Sequence, residues 1–387
     1  MAAELLLFLL LPAAAYTGWR VGRRGGGTDA RRADGLTAAY YQGLNYLLDE
    51  QPDKAIEVFV NMIEVDRDTV EMHLALGSLF RRRGEVDRAI RVHQNLIARP
   101  TLAKAQREQA LHELGEDYMR AGLFDRAEAL FTELARSTKY RDRALRQLSC
   151  IYQQEKDWHQ AIDATSRLEQ LTGQRELRAE IAHFYCELAE QARQENEPKE
   201  ALRLLRRALA TDGSCVRATL LEAELALAEG NCKGAFGALR RVEQQDPHYL
   251  PEAVEPLMQC AQPPQSSKEV RQYLLGLLER QKSVSVLLAA AELVRETRGQ
   301  EEAAALIAHH LRGRPSVRGI HRLIELHLQA EARDDLKMLR DVTTRLLAEK
   351  PVYRCQRCGF NGKALHWLCP GCKSWGTVKP IQGLEGE

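Results

Sequence analysis

The chain has 387 residues, enough for two to four ordinary domains or for one elongated array of repeats. Its 55 Lys and Arg against 54 Asp and Glu leave a net charge of +1, which disfavours a nucleic-acid-coating role. With 44% hydrophobic and 28% charged residues it is able to bury a core, and aromatics at only 6% beside abundant Ala, Leu, Glu, Gln and Arg point to stacked helices rather than sandwiches or barrels.

Residues 5–19 read LLLFLLLPAAAYTGW, and Glu4 is the only charged residue before Arg20. A helix over residues 1–21 rises about 30 Å at ~1.5 Å per residue, just enough to span a hydrocarbon core. Ala13, Ala14 and Ala15 imitate a signal-peptide cleavage site, but the acid precedes the apolar run, and Arg20, Arg23 and Arg24 follow it. That charge order predicts an uncleaved transmembrane anchor with everything after Arg20 in the cytoplasm. Residues 22–36 open with Gly and Arg and are predicted to form a flexible linker, its arginines facing anionic head groups or simply solvent.

A repeat array is predicted over residues 37–350. Gly43, Tyr46, Ala55 and Phe59 recur as Gly77, Phe80, Ala89 and His93, then as Gly115, Tyr118, Ala127 and Phe131, and then as Ser149, Tyr152, Ala161 and Thr165. Gly43 to Gly77 and Ala127 to Ala161 are 34 residues apart, while Ala89 to Ala127 is 38 because four extra residues fall in the connection 100–107. A small residue lets two helix backbones approach, a large one fills the space below, and Gly84 and Gly122 supply the left-handed turn between helices. One helix pair cannot bury its own apolar face, so neighbours must stack into a superhelix. Ala201, Ala235 and Pro247 continue the pattern, and Ala303 with Pro315 and Leu346 with Pro351 extend it faintly. The count is six to nine units, with residues 262–267 expected to interrupt or bend the array. Arg81, Arg82 and Arg83 at a helix end read as solvated partners of the last carbonyls. Cys150, Cys186, Cys215, Cys232 and Cys260 are scattered singly and read as small buried apolar side chains in a reducing compartment.

Residues 351–387 are different in kind. Cys355, Cys358, Cys369 and Cys372 form C-x2-C, ten residues, then C-x2-C. Each short spacing aims two sulfurs at one point, and two such turns give a tetrahedral thiolate site for one iron or zinc ion, both of which accept sulfur. Gly359, Pro370 and Gly371 suit such turns. Four thiolates leave no open position, which makes the site structural rather than hydrolytic. His366 is a possible substitute ligand, more simply read as a packed or exposed ring. A segment this short cannot bury a core of its own, so metal binding is expected to supply much of its folding free energy. It is also expected to pack on the last helices through Tyr353, Phe360, Trp367 and Trp375. No G-x-x-x-x-G-K-[ST] loop, H-E-x-x-H pair or G-x-S-x-G elbow occurs in the chain, and no catalytic residue is assigned.

The Gly, Tyr, Ala, Phe pattern resembles the tetratricopeptide repeat, and the tail resembles the compact rubredoxin-type metal domain. The tail's ten-residue spacing is shorter than in rubredoxins, and Lys373 stands where their second knuckle carries glycine, which weighs against electron transfer. The order of anchor, repeats and four-cysteine knuckle, with LLFLLLPAAAY, YRCQRCGF, CPGC and VKPIQGL, resembles the lipopolysaccharide assembly protein B family. That resemblance implies an all-α tetratricopeptide-repeat superhelix with an N-terminal transmembrane helix and a small C-terminal rubredoxin-like knuckle of four cysteines. It also implies a non-enzymatic regulator in the inner membrane of Gram-negative cells, single-pass, with the bulk of the chain facing the cytoplasm. Its implied partners are the lipid A pathway deacetylase, the membrane protease FtsH and other lipopolysaccharide assembly proteins, with Cys355, Cys358, Cys369 and Cys372 as metal ligands. The alternative is a general scaffold or co-chaperone that gathers envelope-biosynthesis enzymes at the membrane, and a redox protein is a more distant rival.

Overall fold

The computed structural model describes residues 41–43, 45, 46, 51–65, 70–262, 264–281, 283–330, 333–384, 386 and 387. The predicted anchor at 1–21 and linker at 22–36 lie outside the described residues. No helix among the described residues is long and apolar enough to cross a membrane. The chain is mostly helical with a small Cys-rich β knuckle at its end, and it divides into two compact units after Ile151.

The first unit holds α1 (Pro52–Val65), α2 (Val70–Arg83), α3 (Val86–Ile97), α4 (Lys104–Ala121) and α5 (Phe124–Leu134), and α6 (Arg141–Glu155) begins in it. Consecutive helices pack as pairs, α2 on α3 and α4 on α5. The expected small-against-large contacts are present: a Cβ added to Gly43 would lie 2.7 Å from the Phe59 ring, and one added to Gly115 would lie 2.6 Å from the Phe131 ring. At Gly77 the ring beneath is the fully buried His93. Gly84 (φ +88°) and Gly122 (φ +73°) end α2 and α4 in the left-handed conformation. Each is closed by paired bonds, Glu85 N–H to Phe80 C=O with Gly84 N–H to Arg81 C=O, and Leu123 N–H to Tyr118 C=O with Gly122 N–H to Met119 C=O.

Arg81 corrects the reading of the 81–83 run as solvated end caps. Its guanidinium donates to Glu113 Oε2 at 2.6 Å and to Asp117 Oδ1 at 2.7 Å on α4, while His93 Nδ1 meets Asp117 Oδ2 at 2.5 Å. Asp117 is fully buried, and a buried carboxylate requires such partners. Arg83 does remain at the surface, with Asp53 and Glu85 as partners.

The second unit continues with α7 (Trp158–Thr172), α8 (Glu176–Gln194), α9 (Pro198–Thr211), α10 (Val216–Ala228), α11 (Cys232–Leu239) and the short α12 (Val242–Gln245). A 3₁₀ turn at Pro247–Tyr249 leads to α13 (Leu250–Ala261), α14 (Pro264–Arg280), α15 (Val284–Arg298), α16 (Gln300–Gly313), α17 (Val317–Ala330) and α18 (Asp334–Glu349). Helices again pair in chain order, α8 with α9, α10 with α11 and α15 with α16, around a core that includes Ala235, Leu239, Leu250, Leu257 and Leu274. The interruption expected at 262–267 is smaller than predicted, because Pro264 opens α14, as the first turn of a helix tolerates proline. Three of the five scattered cysteines, Cys186, Cys215 and Cys260, are buried as expected, whereas Cys232 is half-buried and Cys150 is exposed. The chain ends in β1 (Tyr353–Cys355), β2 (Asn361–Gly362) and β3 (Val378–Pro380), an antiparallel sheet of order β2-β1-β3.

Candidate metal centre

Strand β1 delivers Cys355 to a tight turn in which Cys355 N–H bonds Phe360 C=O at 2.8 Å and Gly359 N–H bonds Cys355 C=O at 3.0 Å. The second turn repeats it, with Cys369 N–H to Ser374 C=O at 3.0 Å and Lys373 N–H to Cys369 C=O at 2.9 Å. The residue after each second cysteine is left-handed, Gly359 at φ +76° and Lys373 at φ +54°. Glycine takes that conformation freely, whereas a lysine there carries strain of about 1 kcal/mol or more. The tail therefore forms the same turn twice from unequal residues. Gly371 lines the inside of the second turn, where a Cβ would press on Cys358 Sγ at 3.3 Å.

The two turns face each other and bring the four sulfurs within 4.8 Å of one another. Cys355 and Cys372 Sγ are 3.7 Å apart, and Cys358 and Cys369 Sγ are 3.6 Å apart. Four sulfurs at ~2.3 Å from a central ion lie about 3.8 Å from one another in a tetrahedron, so the chain presents the donor set and spacing that a single zinc or iron ion requires. Burial opposes ionisation of Cys355, yet Thr377 Oγ1 and the nearby backbone amides hold its thiol down at about 6, which favours the thiolate a metal needs. His366 is exposed, lies edge-on to Phe360 at 6.1 Å and stands outside the sulfur cluster.

The aromatic anchors of the tail rest elsewhere than expected. Trp375 stacks on His183 of α8 (5.1 Å between ring centres, 20° between planes) and meets Trp158 at 6.3 Å and Phe184 at 5.9 Å edge-on. Its Nε1–H donates to Gln153 Oε1 at 3.0 Å, and the Arg217 guanidinium lies 5.9 Å from its ring centre. Trp367 lies against His183 and Tyr249, whose hydroxyl donates to the carbonyls of Gly376 at 3.1 Å and Val378 at 3.0 Å. Lys379 reaches Asp246 at 2.7 Å, and the Tyr353 hydroxyl donates to Glu252 Oε1 at 2.8 Å. The predicted anchors thus do not pack on the last helices, but the end of the tail does: the buried Glu387 carboxylate accepts from Ser283 Oγ at 2.9 Å and Ser285 N–H at 3.0 Å at the start of α15, and Val317 N–H of α17 donates to Leu384 C=O at 2.9 Å. The platform is built from α6, α7, α8, α10, the 3₁₀ turn and α13: α7, α8 and the turn supply the rings that cover the two tryptophans, and the other helices supply Gln153, Arg217 and Glu252 as polar partners. Of the four predicted anchors, Trp367, Trp375 and Tyr353 make these contacts. Phe360 instead packs within the knuckle beside Cys355, Cys369 and Val378. Sequence reading did not find Gln153, Trp158, His183, Arg217 and Tyr249. The one signal for them was indirect: two tryptophans in a tail too small to cover them require a surface elsewhere.

Stacked antiparallel helix pairs that end in a four-cysteine knuckle define a helical-repeat protein with a rubredoxin-type domain. Residues 353–380 match the rubredoxin metal binding domain, residues 73–108 match the tetratricopeptide repeat, and residues 129–255 match the ARM repeat of tetratricopeptide repeat protein 21. The chain is 41% identical to lipopolysaccharide assembly protein B of Escherichia coli (strain K12) over 386 residues, covering 98% of this chain and 99% of that one. It is 34% identical to the Haemophilus influenzae protein of the same name over 396 residues, again covering 98% and 99%. The chain belongs to the lipopolysaccharide assembly protein B family. Among solved structures, Pseudomonas aeruginosa pilF is similar at 20% identity over 56% of this chain and 94% of that one, with a TM-score of 0.34.

Proposed function

We propose that this protein is a non-enzymatic adaptor of the inner membrane that regulates lipopolysaccharide biosynthesis. In this reading it is anchored through residues 1–21 and brings the lipid A pathway deacetylase to the FtsH protease for degradation. Near-full-length identity to lipopolysaccharide assembly protein B carries the assignment to that process. Repeated helix pairs that expose side chains for protein contacts support the adaptor role. Confinement to a membrane surface would raise the effective concentration of partners that share it.

Cys355, Cys358, Cys369 and Cys372 are proposed as the ligands of one iron or zinc ion. When bound, the ion would offset part of the charge of four thiolates and tie the two turns together, with no coordination position left for a substrate. The protein's own residues do the rest: Thr377 and the turn amides favour the charged form of the Cys355 sulfur, while Trp367, Trp375 and Tyr353 seat the knuckle on the helices. The test is the half-life of the deacetylase in cells with and without the protein. Deletion is expected to lengthen it several-fold, and an unchanged half-life would sink the adaptor reading in favour of a general scaffold. Release of the chain from membranes on removal of residues 1–21 is expected alongside.

A further inference from the structure

Two cysteines outside the metal centre face each other inside the second unit. Cys186 lies on α8, Cys215 immediately precedes α10, and their sulfurs are 3.9 Å apart. Both are buried, Cys186 fully and Cys215 at 5% exposure, and Cys215 directly follows the exposed Gly213 and Ser214 in the chain. The two environments differ. Cys215 occupies the N-cap of a 13-residue helix, where unpaired amides concentrate partial positive charge. The hydrogen bond shared with Cys186, and after it the Ala218 amide in the first turn, pull the Cys215 thiol below its ordinary value against the effect of burial. Burial pushes the Cys186 thiol well above its own. The arrangement is a thiol biased toward the nucleophilic thiolate beside one held in reserve as a thiol.

We infer that Cys215 and Cys186 are a hydroperoxide-reactive pair that closes a disulfide between α8 and the start of α10. The Cys215 thiolate attacks one peroxide oxygen and the O–O bond breaks. The departing alkoxide or hydroxide takes up a proton, and Cys215 becomes a sulfenic acid. The Cys186 sulfur then attacks the Cys215 sulfur, an S–S bond replaces the S–O bond, and the leaving hydroxide departs as water with the Cys186 proton. Two thiols and one hydroperoxide thus give one disulfide, one water and one alcohol, or a second water when the oxidant is hydrogen peroxide. The bond forms where the tail is seated. Arg217, two residues beyond Cys215, already bonds Glu187 at 2.8 Å and Glu190 at 3.0 Å on α8, and it lies against Trp375. Oxidation therefore adds a covalent tie across the same joint and stiffens the platform beneath the knuckle.

The experiment treats the full, metal-loaded chain with a small excess of hydrogen peroxide, quenches by alkylation and maps peptides without reduction. The expected product is a peptide pair joined through Cys186 and Cys215, two hydrogens lighter than its parts. It should form on the order of ten times faster than oxidation of the exposed Cys150 or the half-buried Cys232. In the Cys186→Ser variant, Cys215 is expected to stop at a sulfenic acid that dimedone captures. Prior oxidation of Cys150 or Cys232 in the unmutated chain, or the absence of any linked 186–215 product, overturns the inference whether or not the variant folds.

Discussion

Replacing Trp375 with alanine tests how the metal knuckle is held. Most of the side chain is covered, so removing it forfeits about two-thirds or more of an aromatic's 150–250 Å², worth about 2.5–4 kcal/mol at ~25 cal/mol per Å². The stack on His183 and the edge contacts with Trp158 and Phe184 contribute roughly 0.5–1.5 kcal/mol per pair beyond area, and the lost bond to Gln153 about 1 kcal/mol. These contributions overlap, and the total expected for Trp375→Ala is about 4 kcal/mol, within the usual range for a Trp→Ala change. That is close to a thousandfold shift of the docking equilibrium toward the released tail. Hydrogen exchange on the metal-loaded chain, read over α8 and over residues 376–381, is expected to rise accordingly while metal content is unchanged, because none of the four sulfurs is touched. Trp375→Phe keeps most of the ring contacts, loses the Nε1–H bond and should cost on the order of 1 kcal/mol. If alanine proves no more disruptive than phenylalanine, stacking on His183 does not hold the tail and the reasoning fails.

Three further outcomes are expected. Cys358→Ser, or removal of the ion by a chelator, should leave residues 353–380 with the exchange rates of an unfolded peptide, and retained protection would show that the sheet stands without the ion. Burial, followed by the charge of Arg217, holds His183 down at about 3 against an ordinary 6.5. Stability of the second unit should therefore be full above pH 6.5 and fall as the pH drops toward 3, because the unfolded chain takes up a proton that the folded one refuses. About 2 kcal/mol is lost between pH 6.5 and 5, read as a denaturation midpoint, and His183→Gln should flatten that slope. Gly77→Ala drives a methyl into the His93 ring that Asp117 holds, and should cost about 2 kcal/mol or more. Gly84→Ala meets open space and bears only the left-handed penalty of about 1 kcal/mol, so thermal unfolding should rank Gly77→Ala as the worse.

Features that recur at fixed intervals were legible before the structure. Gly43 with Phe59, Gly77 with His93 and Gly115 with Phe131 could be matched because helix pairs of constant length repeat the same steric need. The two C-x2-C spacings announced the convergence of four sulfurs for a similar reason, since two intervening residues permit little but a tight turn. What escaped notice has no spacing rule. Gln153 and Trp375 meet across 222 positions, Cys186 and Cys215 across 29, and Arg81 with Asp117 across 36. Such partners are set by how the units stack, which side-chain identity alone does not encode. Arg81 shows the cost of reading locally: at a helix end it looked like a cap, but the neighbouring repeat supplied a buried carboxylate.

The wide separation between the knuckle and its seat bears on how the polypeptide comes off the ribosome. Trp158, His183 and Phe184 emerge about two hundred residues before Trp375, an interval on the order of 10–40 s at ordinary translation rates. Throughout that interval the early helices can assemble locally while one oily face waits bare until the knuckle that covers it is made. Chains that lack the knuckle, or are starved of the ion, should accordingly be captured by chaperones or proteases through that uncovered face, so the knuckle acts as a seal on the helices.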